Sequence, residues 1–239
     1  MRGLSGRCEG GGATGQECVK RLLAATTAQV RAVVRDPQKY EGQMPPDARL
    51  QVVAGDVTDK ASLTAALTGA QGVVFAASGK GYWTADPVDH KGVANVAEVA
   101  QQCGVQRVVM VSSMLVTPKN WLQPMRLLLN NIRWGLMDAK FKGENALRSS
   151  GISYTVVRPG GLTKGPGGEG QLCSAQGDSG GLGSISRADV AAVCVSALTD
   201  SNADRVTVEI YSKPGAHTAG KWEDQLTNIW KGAAKGTKA

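Results

Sequence analysis

Short blocks dominated by apolar residues alternate along this chain with longer stretches whose apolar residues recur every third or fourth position. The short blocks are residues 29–34, 50–54, 72–77, 105–111 and 152–157, and each contains valine. Strands written as continuous apolar runs are buried on both faces, as in a parallel sheet covered by helices on each side. Helical spacing links Cys18, Val19, Leu22 and Leu23, then Ala61, Leu63 and Leu67, then Val93, Val96, Ala97 and Ala100. Thr58 or Asp59 is expected to cap the second of these helices. Further helices are expected over residues 139–147, 187–197 and 221–231, with a late strand over 205–211. Residues 160–183 are rich in glycine and are expected to be mostly loop. Strands of about five residues between helices of about ten or more need crossover connections. The expected class is therefore α/β, a doubly wound parallel sheet with helices on both faces and a small C-terminal lobe. One domain is expected over residues 1–239, with a core at 10–160 and the lobe at 161–239.

The first helix opens on Gly10-Gly11-Gly12-Ala13-Thr14-Gly15, a G-x-G-x-x-G with Gly10, Gly12 and Gly15 in register. Such glycines allow a tight turn, let backbone approach a pyrophosphate, and pack the helix close to the sheet. The helix N-terminus then offers free N–H groups and the positive end of its dipole to phosphate. The sheet is accordingly expected to be Rossmann-like. Residues 2–9, which should supply the first strand, fit a buried strand badly, because Gly3, Gly6, Arg7 and Glu9 fall there. Either that strand is degenerate or the native start, with any targeting segment, is missing.

Composition narrows the class. With 42% hydrophobic and 20% charged residues among 239, the chain is globular, not disordered. No apolar run approaches the roughly 18–20 residues of a membrane span, so solubility is expected. The net charge of +7 raises nucleic acid and acidic membranes as partners. The basic residues are scattered except in the tail at 231–238, which argues against nucleic acid. Five cysteines, an odd count without C-x-x-C, point to a reducing compartment. His90 and His217 make no convincing zinc site with them, so no metal is expected.

Four marks now stand in order: Gly10–Gly15, Gly55-Asp56-Val57, Val109-Met110-Val111-Ser112-Ser113, and Val157-Arg158-Pro159-Gly160-Gly161. With Ala139-Lys140, Glu144, the run 147–155 and Ser186-Arg187-Ala188-Asp189-Val190-Ala191, the chain resembles the atypical short-chain dehydrogenase/reductases, the NAD(P)H-binding or NmrA-like branch. The resemblance covers roughly residues 10–212. It implies either a reductase or a cofactor-binding regulator or assembly factor, several of which are plastid or cyanobacterial. Cytoplasm and chloroplast stroma both stay open.

The resemblance also assigns roles. Gly10, Gly12, Ala13, Thr14 and Gly15 would hold the pyrophosphate, Asp56 the adenine edge and Val57 its face. Ala76, Ala77 and Ser78 would line ribose and pyrophosphate, and Pro159, Gly160 and Gly161 would present backbone to the nicotinamide amide. Arg35 ends the second strand where NAD-preferring sites carry an acid. An arginine fork binds a 2′-phosphate through two hydrogen bonds, so Arg35 points to NADP(H) over NAD(H). Asp36 beside it is the competing acid.

Family members of the usual kind use a serine and Y-x-x-x-K. The tyrosine gives a proton to the substrate oxygen and the lysine binds ribose. Ser112 or Ser113 fits the serine and Lys140 the lysine, but Leu136 stands where the tyrosine should be. Tyr82 and His90 are alternative acids, and Asn95 matches an asparagine of related enzymes. Residues 118–137 mix Trp121, Leu122, Met125, Leu127 to Leu129, Ile132, Trp134 and Leu136 with Lys119, Arg126 and Arg133. This basic amphipathic segment reads as a substrate lid, as core, or as a surface for a partner protein or membrane. An NADPH-dependent reductase of a small carbonyl or conjugated substrate is the leading expectation. A non-enzymatic NADP(H)-binding regulator is the alternative.

Overall fold

The computed structural model describes residues 6–9, 12–40, 42–79, 83–132, 135–179, 183–214 and 221–236. Ten strands join one sheet: β1 Gly6–Glu9, β2 Val30–Val34, β3 Leu50–Ala54, β4 Gly72–Phe75, β5 Arg107–Val111, β6 Tyr154–Pro159, β7 Gly161–Thr163, β8 Gly170–Ala175, β9 Ser184–Ser186 and β10 Val206–Pro214. The strand order is β3-β2-β1-β4-β5-β6-β10-β9-β7, with β8 also on β10. From β3 across to β10 all neighbours are parallel. This is the doubly wound, Rossmann-like order, in which ligands bind beyond the carboxyl ends of the strands where the order reverses.

The helices are α1 Ala13–Ala25, α2 Lys60–Leu67, α3 Val93–Gln102, α4 Pro124–Ile132, α5 Leu136–Ser149, α6 Arg187–Ala197 and α7 Lys221–Lys231. A π-helical stretch, Asp86–Gly92, runs directly into α3. Asp59 caps α2 by accepting from the N–H groups of Ala61 and Ser62.

The continuous apolar strands explain the two layers. Successive side chains of a strand point to opposite faces. Val74, Val109 and Val157 face α1, α6 and α7. Their neighbours Val73, Phe75, Val108, Met110 and Val156 face α2, α3 and α5.

Two segments that the sequence described weakly take definite form. Residues 6–9 do form a strand, between β2 and β4, with Gly6 opposite both Val30 and Gly72. A parallel ladder is made by backbone groups, so the unpromising composition did not prevent it. Most of the described residues in 160–183 lie outside regular structure, as expected, but two short strands, β7 and β8, fall within them. β10, longer than the 205–211 expected, pairs antiparallel with β8 from Glu209 to Pro214 and holds β7 through β9.

Candidate functional site

A cleft of about 440 Å³ opens at the carboxyl ends of β2, β3 and β4, beside the start of α1. Its wall brings together Gly12, Arg35, Asp56, Val57, Ala76, Ala77 and Ser78, residues far apart in sequence. Gly10 lies outside the described residues. Ala13, Thr14 and Gly15 form the first turn of α1, which has no side-chain cap at Gly12 and no acidic residue. Its first N–H groups are therefore unclaimed by any capping side chain, and the dipole there is not neutralised. Gly55 shapes the opposite wall. A Cβ there would come within 2.5 Å of Val33 Cγ1, so a larger residue would have to displace the Val33 side chain.

Charge in the cleft is arranged at one end. Arg35 is exposed, and its charge helps hold the Asp56 carboxyl below the usual range. The larger cause is the Thr58 N–H, which donates to Asp56 Oδ1 at 2.8 Å; partial burial opposes it. Asp36, the competing acid, stands 3.3 Å from Lys39 Nζ. Lys39 and Tyr40 also line the cleft, and sequence reasoning missed both. Asp36-Pro37 reads only as a strand stop, but Pro37–Tyr40 is a 3₁₀ turn that returns Lys39 to the side of Arg35. The spacing of two cations four apart around Asp-Pro was the available signal.

The residues expected to do chemistry lie outside this cleft, each already engaged. Lys140 Nζ stands 2.9 Å from Asp89 Oδ1. Asp89 is fully buried, and its other oxygen accepts from the Gly79 N–H at 2.8 Å. Lys140 thus braces, through Asp89, the loop that carries Ala76 to Ser78. Ser112 Oγ donates to Glu144 Oε1 at 2.6 Å, whereas Ser113 Oγ donates to the Met114 carbonyl at 3.0 Å. The Gly160 N–H is given to the Ile210 carbonyl and the Gly161 N–H to that of Gly183. The Pro159 carbonyl accepts from Met114. Leu136 is buried in a cluster with Ala85, Val116, Met137 and Ala139. His90 Nδ1 is 2.8 Å from Asp86, and Asn95 Nδ2 donates to the Val57 carbonyl at 2.9 Å. Asn95 therefore holds a cleft residue in place. Tyr82 lies outside the described residues.

Behind Ser112 runs a buried ionic network that the sequence did not announce. Arg158 donates to both oxygens of Glu144, at 3.0 and 2.7 Å, and Arg148 reaches Glu144 at 2.8 Å. Arg158 Nη1 is also 3.5 Å from Glu209, which accepts from the Asp178 N–H at 2.9 Å. Asp178 in turn accepts from the N–H groups of Leu115 and Thr117 and from the Thr117 hydroxyl. Burial alone would push the Asp178 carboxyl up. The Thr117 and Leu115 bonds and the charge of Arg158 outweigh it and hold the group below the usual range.

A doubly wound sheet with an open, uncapped helix N-terminus beside a cation-rimmed cleft defines a dinucleotide-binding α/β protein. The chain belongs to the NAD(P)H-binding family, whose model matches residues 10–201. It is 36% identical over 213 residues to an uncharacterized chloroplast protein of Arabidopsis thaliana, covering 86% of this chain and 75% of that one. It is 33% identical over 132 residues to sanguinarine reductase of Eschscholzia californica, covering 54% of this chain and 46% of the reductase. In fold it is similar to an oxidoreductase from Lactococcus lactis, with a TM-score of 0.77 at 19% identity, covering 95% of this chain and 96% of that one. A short-chain dehydrogenase/reductase of Veillonella parvula solved with NADP gives a TM-score of 0.69 at 19% identity, covering 90% and 96%. Among the described residues no helix is long and apolar enough to cross a membrane.

Proposed function

We propose that this chain prefers NADP(H) to NAD(H) and uses it to reduce a small carbonyl or conjugated compound. The observation that carries the preference is the pair Arg35 and Lys39 on the cleft wall, with Asp36 turned to Lys39. Two cations suit a 2′-phosphate, while an acid committed to a neighbouring lysine is poorly placed for a ribose hydroxyl. In this reading Gly10, Gly12, Ala13, Thr14 and Gly15 hold pyrophosphate, Asp56 and Val57 the adenine, and Ala76 to Ser78 the ribose side. When bound, the cofactor supplies a hydride. The protein's own part is to bind, orient and exclude water.

Leu136 is buried and has no proton to give, so the proton comes from water, from the substrate or from another side chain such as Tyr82 or His90. Lys140 acts here as a positioning residue through Asp89, not as a catalytic one. The likeness to sanguinarine reductase supports reduction of a small organic molecule. The test is NADPH oxidation by purified protein across quinones, aldehydes and enones, alongside direct titration of NADPH and NADH. Turnover on any member of the panel, with tighter binding of NADPH, is the expected result.

The second reading is an NADP(H)-binding regulator without turnover. Ser112 and Lys140, two of the groups expected to do chemistry, are bonded to the buried carboxylates Glu144 and Asp89. Tight NADPH binding with no oxidation across the panel would select it. The chloroplast relatives, at 36% and 32% identity, support a plastid location for this chain. Imaging of a fluorescent fusion of the full-length protein tests that.

A further inference from the structure

Helix α4 is amphipathic in the inverted sense. Two of its polar side chains, Arg126 and Asn130, face the protein. Arg126, 5% exposed, donates to the carbonyls of Leu115 and Val116 and pairs with Asp138. One turn on, Asn130 accepts from the Met137 N–H at 2.8 Å and donates to Asp138. Apart from Leu129, which packs inward, its large apolar side chains face outward. Of eight large apolar side chains exposed among the described residues, six are Trp121, Leu122, Met125, Leu127, Leu128 and Ile132. Trp121, Met125, Leu128 and Ile132 follow at spacings of four, three and four, the repeat of a single helical stripe. Arg126 and Asn130 fix the rotation of the helix, so this stripe cannot turn inward without stranding a buried guanidinium. Of the segment 118–137, Leu129 and Leu136 pack as core, whereas this stripe does not.

We propose that this stripe is a docking surface for an anionic lipid bilayer, on which residues 121–132 lie flat. Four observations select that occupant. The nine residues of α4 are far short of the roughly 20 needed to span, so the segment can lie on a bilayer but not cross it. Residues 118–137 carry Lys119, Arg126 and Arg133 and no Asp or Glu, and the whole chain is +7. With Arg126 buried, Lys119 is left as an exposed cation at the rim, complementary to lipid phosphate. Trp121 stands 63% exposed at one end of the stripe, and indole rings favour the boundary between headgroup and acyl chain. Trp83, 81% exposed, adds a second indole from a loop whose Ala85 packs in the same cluster as Leu129.

The test is co-sedimentation of the full chain with vesicles of phosphatidylcholine alone and of phosphatidylcholine with phosphatidylglycerol. Binding is expected to the mixed vesicles only, and to fall with salt as surface charge is screened. Leu122→Ser/Leu128→Ser/Ile132→Ser is expected to weaken it by about tenfold or more, and Lys119→Glu to weaken it as well. NADPH titration of each variant should stay unchanged, which shows that the fold is intact. The proposal is overturned if the wild type stays in the supernatant or the triple variant binds vesicles equally well. It is also overturned if, without lipid, sedimentation velocity shows a protein complex that these substitutions dissolve.

Discussion

The Lys140 ammonium and the Asp89 carboxylate face each other at 2.9 Å with both side chains withdrawn from solvent. A buried pair of this kind is costly to break from one side only, because the remaining charge is left without a counterion. Lys140→Ala is therefore expected to lower stability by about 3–5 kcal/mol. The double variant Asp89→Asn/Lys140→Met should recover much of that loss, since it removes both charges. Chemical denaturation of the wild type, Lys140→Ala and the double variant measures this. A stable Lys140→Ala protein that merely loses turnover would instead make Lys140 a catalytic residue.

Arg35 should decide between the two dinucleotides. Charged hydrogen bonds contribute about 1.5–3 kcal/mol, so Arg35→Ala is expected to weaken NADPH roughly 10- to 100-fold. NADH binding should change little. Calorimetric titration of both cofactors on both proteins checks it, and an equal loss for each would remove the 2′-phosphate argument.

Asp178 links stability to pH. Its carboxyl is held below the usual range in the folded chain, so its contribution is complete above an unfolded value near 3.9. That contribution is lost as pH falls through the lower, folded value. Asp178→Asn should be less stable at neutral pH by about 1–3 kcal/mol, because N–H donors of Leu115 and Thr117 lose a charged acceptor. The gap between wild type and variant should shrink in acid. Urea titrations at neutral pH and near pH 3 compare the two; a gap that widens in acid contradicts the assignment.

Gly143 tests the packing behind the cleft. A Cβ there would lie 2.0 Å from the Asp89 carbonyl oxygen, so α5 touches the Asp86–Gly92 stretch backbone to backbone. Gly143→Ala must push the two apart and is expected to cost about 1–3 kcal/mol or more. Thermal unfolding reads this out. Gly232→Ala serves as a control: no atom lies within 4 Å of its added Cβ, and its φ is not positive.

The layers of the fold were legible because Val, Met and Phe fill both faces of β4, β5 and β6, which only a covered parallel sheet requires. The cleft was half legible. Arg35, Asp56 and Ala76 to Ser78 end apolar blocks, and strand ends are where ligands sit in such sheets. Lys39 was hidden because a proline after Asp36 looks like a full stop, although it can also begin a 3₁₀ turn. Lys140 and Ser112 were found as residues, but their partners were not. Asp89 and Glu144 lie on amphipathic helical stretches where a carboxylate usually faces water, and nothing local marks one that faces inward. Asp178 stood inside a glycine-rich run with no apolar period to show that it returns to the core.

The central strand β1 is only four residues long, and it holds the ladder to β2 on one side and β4 on the other. If it slips out, two valine-rich strand edges open in the middle of the sheet instead of at its rim. Such edges accept any passing strand. The expected failure of a protein weakened there is therefore self-association through open edges, visible as concentration-dependent turbidity before the helices melt.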